Sequence, residues 1–135
     1  MKAVFADTFY YLALLDPHDS THEKAVSVTR GLESNIVTTA WVLLELANSL
    51  SALRHRKVFA DFLDKLRANP GVTIYEAERE LFDLGVELYR DREDKDWSLT
   101  DCISFVVLKR EGIDEALTGD RNFEQAGFKA LLRQP

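Results

Sequence analysis

Ala3-Val4-Phe5-Ala6 is a strand-like apolar run that leads into an acid and a hydroxyl, Asp7-Thr8, and the rest of the chain repeats its order of short strand followed by helix. After the first strand at Ala3–Ala6, further strands are expected at Ile36–Thr38, Val72–Tyr75, Ala116–Thr118 and Phe128–Leu132. Helical patterns fill the intervals, at Thr8–Leu15, His22–Leu32, Thr39–Leu53, Arg56–Ala68, Glu76–Tyr89 and Leu99–Arg110. The helix from Glu76 places Ala77, Leu81, Leu84 and Leu88 at helical spacing. Asn69-Pro70-Gly71 stops a helix before the third strand, and Glu111-Gly112 does the same before the fourth. Strands alternating with helices imply a mostly parallel sheet covered on both faces, an α/β class with a three-layer α/β/α sandwich. No internal repeat, low-complexity tract or linker interrupts the pattern, so residues 1–135 are expected to form one domain.

Composition sets the bounds. The 135 residues are enough to bury a core, and 46% hydrophobic with 30% charged residues fits a folded globular chain. A net charge of −6 argues against nucleic-acid affinity carried by a basic surface, but acids gathered around a metal count toward that total and are neutralised when it binds. The single cysteine, Cys102, excludes an intramolecular disulfide framework and fits a reducing compartment. It lies in the apolar run Cys102-Ile103-Ser104-Phe105-Val106-Val107-Leu108, which reads as a packed thiol rather than a nucleophile. There is no basic stretch followed by a long apolar segment at the amino terminus and no run of membrane-spanning length, so a cytoplasmic protein without a membrane partner is expected.

Four acids stand out against this background. Asp7 is the only charged residue between Lys2 and Asp16, and Glu45 the only one from Ser34 through Leu53. Asp101 opens the apolar run Cys102–Leu108, and Asp120 closes the strand-like Ala116-Leu117-Thr118-Gly119. A buried, unpaired carboxylate costs several kcal/mol or shifts its pKa until it is neutral. Convergence around a cation is the economical explanation. In open parallel sheets the site lies beyond the carboxyl ends of the strands, where the strand order reverses. Asp7 and Asp120 fall just past the first and fourth strands, Asp101 in the first turn of its helix, and Glu45 about two turns into its own.

Each acid also has an ordinary structural explanation. Ser98-Leu99-Thr100-Asp101 matches a capping box, Asp120 in Gly119-Asp120-Arg121-Asn122 suits a turn, and Asp7 suits a helix N-cap. Glu45 has no such role, and Arg54 lies beyond the reach of a helical ion pair. His18, His22 and His55 show no metal-ligand spacing, which disfavours zinc.

Taken in order, Val4-Phe5-Ala6-Asp7-Thr8, Glu45-Leu46-Ala47-Asn48, Trp97-Ser98-Leu99-Thr100-Asp101-Cys102 and Leu117-Thr118-Gly119-Asp120-Arg121-Asn122-Phe123 resemble the PIN-domain family, above all VapC-type ribonuclease toxins and their stand-alone relatives. The resemblance spans essentially the whole chain. It implies an α/β/α sandwich with an acidic pocket for Mg²⁺ or Mn²⁺, in which Asp7, Glu45, Asp101 and Asp120 form the catalytic and metal-binding quartet. Thr8, Asn48 and Thr118 would be supporting hydrogen-bonding residues, and Asp96 a further acid outside the direct ligands. The activity implied is endoribonuclease cleavage leaving 5′-phosphate and 3′-hydroxyl ends. Homodimerisation and an antitoxin partner that obstructs the site are implied as well.

The chemistry suits those residue types. Hard divalent ions prefer oxygen donors, and carboxylates can hold one ion, or two about 3.5–4 Å apart, beside a scissile phosphate. Asp7 and Asp101 are the expected direct ligands. Glu45 would be a ligand or orient the attacking water, and Asp120 would serve a second ion. Arg121 is the favoured contact to RNA phosphate. Arg54-His55-Arg56-Lys57 and Arg90 are further basic candidates, whereas Arg92 and Lys95 sit in an alternating-sign segment that largely cancels itself. Two other readings compete. A phosphoaspartate receiver or phosphatase would want acids near Asp7 where Phe9 and its neighbours stand. A non-catalytic PIN-like RNA- or protein-binding module is the principal alternative.

Overall fold

A computed structural model describes residues 2–133. Its chain order is β1 (Ala3–Ala6), α1 (Thr8–Leu15), α2 (His22–Arg30), β2 (Asn35–Thr39), α3 (Ala40–Ser49), α4 (Leu53–Ala68), β3 (Val72–Tyr75), α5 (Arg79–Asp91), α6 (Leu99–Glu111), β4 (Glu115–Leu117), α7 (Arg121–Gln125) and β5 (Lys129–Ala130), followed by a 3₁₀ turn at Leu131–Arg133. All five strands are parallel in the order β3-β2-β1-β4-β5. The expected α/β/α sandwich around a parallel sheet is the fold observed.

β1 is the central strand. Val4, Phe5 and Ala6 are all buried, as a strand covered on both faces requires. Its register sets Phe5 opposite Val37 of β2 and Ala116 of β4, so β1 and β4 end side by side at Ala6 and Leu117. Right-handed crossovers put α1–α4 on one face of the sheet and α5–α7 on the other. The direction of strand growth reverses at β1, which makes the carboxyl edge between β1 and β4 the switch point of the sheet.

Several boundaries differ from the sequence expectation. The helix expected over 39–53 stops at Ser49, and α4 begins at Leu53, three residues early. α5 starts at Arg79 rather than Glu76, because Glu76, Ala77 and Glu78 include none of the short polar residues that cap a helix well. The strand expected over 128–132 shrinks to Lys129–Ala130, since the chain turns into the 3₁₀ segment. α7 was not anticipated, being a single turn too short for periodicity to register. Gly112, at φ 66° in the left-handed region, ends α6 as expected.

Candidate active site

The switch point holds a cleft of about 410 Å³ lined by Asp7, Thr8, Phe9, Leu12, Glu45, Ser49, Asp96, Ser98, Asp101, Asp120 and Asn122. All four acids singled out from the sequence therefore face one space, together with Asp96. No ion pair among the described residues involves any of these five carboxylates.

Asp7 lies between the end of β1 and the start of α1, 4% exposed. It occupies the N-cap position of α1 without making the side-chain capping bond. Its Oδ2 instead accepts from the Thr118 hydroxyl at 2.8 Å. Thr118 follows β4, is fully buried, and accepts from the Asp120 backbone N–H at 3.0 Å. One hydroxyl thus ties the ends of β1 and β4 together and sets the orientation of the Asp7 carboxylate. Burial pushes the Asp7 carboxyl up to about 7, against the opposing Thr118 bond, with the negative charges of Asp101 and Glu45 adding to the rise.

Asp101 makes the complete capping box of α6. Its backbone N–H donates to Ser98 Oγ at 3.0 Å, and its Oδ2 accepts from the Ser98 N–H at 3.2 Å. The same Oδ2 accepts from the Asn122 amide at 3.1 Å. Capping and site membership hold at once. Its pKa is raised, first by burial and then by Asp120 and Glu45, against the hydrogen bonds that favour the charged form. Asp120 caps α7 by accepting from the Asn122 N–H at 2.9 Å. α7 is anchored by the buried Phe123 ring, which meets Phe105 edge-on at 5.0 Å, and Phe105 meets Trp97 at 4.9 Å. This aromatic stack fixes the two helix starts that carry Asp101 and Asp120.

Glu45 corrects one premise of the sequence analysis. It is exposed, not buried, because α3 turns Val42, Leu43 and Leu46 into the core and presents Glu45 and Ser49 to the cleft. The Thr8 hydroxyl, 3.4 Å from the Val42 carbonyl, couples the start of α1 to α3. Two other expected residues lie elsewhere: Asn48 is exposed on α3 and Arg121 is exposed at the start of α7, neither among the cleft-lining side chains. Ser98 and Asn122, by contrast, proved to be the groups that hold Asp101. The Asx pattern Asp120-Arg121-Asn122 was the available signal for Asn122.

The alternating-sign segment and the packed cysteine are found as expected. Arg92 pairs with Asp94 at 3.0 Å and lies 5.0 Å over the Trp97 ring, and Lys95 also reaches Asp94. Cys102 is fully buried, its thiol pushed up to about 11 by burial first and Asp101 second. His22 Nδ1 bonds the Ala13 carbonyl at 2.7 Å.

Among the described residues no group of three or more His, Cys, Asp or Glu side chains stands in an arrangement that holds a metal ion. The acids share a cleft without forming a closed cage. Carboxylates without a counter-cation repel one another, and Mg²⁺ typically binds through one or two carboxylates while keeping its waters. An all-oxygen donor set of this kind fits a hard divalent ion.

Comparison with known proteins gives the family. A PIN domain family model matches residues 4–129, and the chain belongs to that family. The chain is 26% identical over 126 residues to a protein of Mycobacterium tuberculosis named 23S rRNA-specific endonuclease VapC20, covering 93% of this chain and 95% of the relative. The crystal structure of Mycobacterium tuberculosis VapC20, described as a sarcin-ricin loop cleaving toxin, superposes with a TM-score of 0.84 at 24% identity, over 93% of this chain and 95% of that one. FitAcB from Neisseria gonorrhoeae gives 0.68 at 17% identity, over 94% and 95%. No helix among the described residues is long and apolar enough to cross a membrane.

Proposed function

We propose that this protein is a Mg²⁺- or Mn²⁺-dependent endoribonuclease, a single PIN-like domain acting in the cytoplasm as the toxin of a toxin–antitoxin pair. The observation that carries the reading is the cleft itself: Asp7, Glu45, Asp101 and Asp120 line one space at the switch point, and none of them is in an ion pair among the described residues. Similarity to a 23S rRNA-specific endonuclease supports RNA as the substrate.

Asp7 and Asp101 would hold the ion, Glu45 would join them or orient the attacking water, and Asp120 would serve a second ion. Bound there, the cation supplies Lewis-acid stabilisation of phosphoryl charge and acidifies its water. The chain's own part is orientation. Thr118 holds Asp7, Ser98 and Asn122 hold Asp101, and the Asn122 N–H holds Asp120. Thr8 sets α3, and with it Glu45, against Asp7. Arg121, exposed beside Asp120, is assigned to RNA phosphate outside the cleft. Asn48 is assigned no more than an outlying role on α3.

The test is cleavage of labelled tRNA and rRNA fragments, a sarcin-ricin hairpin among them, in EDTA, Mg²⁺ or Mn²⁺. Wild type runs beside Asp7→Asn and Asp101→Asn, with folding checked by circular dichroism and metal binding by calorimetry. Metal-dependent cutting that leaves 5′-phosphate ends and is lost in both folded variants is expected. A metal-bound wild type that cuts none of these RNAs would transfer the reading to a non-catalytic PIN-like RNA- or protein-binding module. Homodimerisation and an antitoxin partner belong to the same proposal, and light scattering on the isolated chain tests the first.

A further inference from the structure

The cleft has a composition that poses a problem for an RNA substrate. Its described lining carries five carboxylates and no lysine or arginine. A strand entering it meets no side-chain cation, so its phosphates cannot be held there by direct ion pairs. The lining that is not acidic consists of small polar groups and one apolar wall, Phe9 and Leu12, a turn apart on α1.

Phe9 is held in place by a contact that no single stretch of sequence displays. It is 37% exposed, yet the edge of its ring lies directly on Gly119. A Cβ built on Gly119 would fall 2.5 Å from Phe9 Cε1 and 3.1 Å from Cε2, far inside ordinary contact. Gly119 is not in a positive-φ conformation, so its backbone would accept a side chain, and the ring is what a side chain there would meet. Behind it, the Gly119 carbonyl accepts from Arg133 Nη1 at 3.3 Å, and Arg133 is paired with Glu124 at 2.7 Å. A partly exposed aromatic ring is therefore seated on a braced backbone between Asp7 and Asp120, two of the acids assigned to the metal.

We propose that Phe9 is a stacking platform for one unpaired base next to the scissile phosphate, which makes the cut site a single-stranded or looped-out segment of RNA. A nucleotide is the ligand whose chemistry matches both halves of the cleft, since its phosphate suits the metal-binding acids and its base has a flat π face for the ring. Stacking on aromatic side chains is how proteins hold unpaired bases without regard to charge. The inference rests on the endoribonuclease reading and assigns the part of the substrate that the acids leave unheld.

The experiment pairs cleavage with a binding signal that needs no turnover. Short single-stranded oligoribonucleotides carrying 2-aminopurine at successive positions are titrated with wild type, Phe9→Ala, Phe9→Trp and Gly119→Ala, each checked for an unchanged thermal midpoint. Stacking predicts quenching at one position in wild type and Phe9→Trp, and its loss in Phe9→Ala. Gly119→Ala, which displaces the ring without deleting it, should weaken the quenching as well. In cleavage assays Phe9→Ala should raise KM by roughly 5- to 100-fold with kcat changed far less, and Phe9→Trp should restore it. An abasic nucleotide at the quenched position should weaken wild type by a similar factor and Phe9→Ala hardly at all. Position-specific quenching that depends on Phe9, in a protein that cuts nothing, would keep the platform and discard the nuclease. Cleavage with equal KM in wild type and Phe9→Ala would discard the platform and keep the nuclease. Unchanged RNA binding in Phe9→Ala, with loss of an antitoxin contact instead, would assign the ring to a protein partner and overturn the inference.

Discussion

Replacing Asp7 by asparagine should make the metal-free protein more stable, although it removes a residue on which the proposed activity depends. The carboxyl, ordinarily near 3.8, is pushed up to about 7 by burial and by neighbouring acids. At one pKa unit per 1.36 kcal/mol, ionised Asp7 costs the folded state about 4 kcal/mol once the pH is above 7. Relaxation and water entry reduce that, so a net penalty of roughly 2–4 kcal/mol is the working figure. Between about pH 4 and 7 the native state holds more protons at Asp7 than the unfolded chain, so unfolding free energy falls as pH rises through that window. Below it both states are protonated, and the penalty vanishes. Asparagine cannot ionise and can still accept from Thr118, so Asp7→Asn should lack this slope. Urea unfolding in EDTA at about pH 5, 6, 7 and 8 would show the variant gaining on wild type across the series, by about 2–4 kcal/mol at the alkaline end. Curves that run parallel, or a variant less stable at about pH 8, would refute the burial and repulsion argument.

Other perturbations separate the site from its scaffold. Thr118→Val removes the hydroxyl that joins Asp7 to the Asp120 N–H and should cost about 1–3 kcal/mol in urea unfolding, through the polar groups left unpaired. Asn122→Ala takes away the amide that holds Asp101 and should weaken Mn²⁺ affinity by about 10-fold in calorimetry while far-UV circular dichroism stays unchanged. Gly85→Ala should lower stability by about 1–3 kcal/mol, because its methyl would collide with Ile103 where α5 packs on α6, and metal affinity measured by calorimetry should be unaffected.

The parts of the fold that could be read from the sequence are those fixed locally. Ala3–Ala6, Val72–Tyr75 and Thr8–Leu15 fall where an apolar run or helical spacing places them, and the Ser98–Asp101 capping box is present with both of its bonds. Asp7 and Asp101 stood out for a sound reason, since an apolar neighbourhood does bury them, while Asp120 is only half-buried. Glu45 stood out for an unsound one. An apolar neighbourhood in sequence is not burial on a helix, where each residue turns about 100° from the last, and this glutamate faces outward. The contacts between Thr118 and Asp7, Asn122 and Asp101, and Gly119 and Phe9 were not legible at all. The first and last join segments more than a hundred residues apart, which the pairing of β1 with β4 brings together, and the second depends on α7 packing against the start of α6.

That pairing also governs when the cleft can form. Asp7 stands 111 residues from Thr118 in the chain, and its neighbouring strand β4 and the carboxylate of Asp120 are comparably remote. Until they dock, β1 has an open edge facing the place where β4 belongs, and the acids that would share the cleft are not yet all together. The cleft therefore assembles with the longest-range strand pairing of the sheet, a contact slow to form, so a partly folded chain presents no finished site.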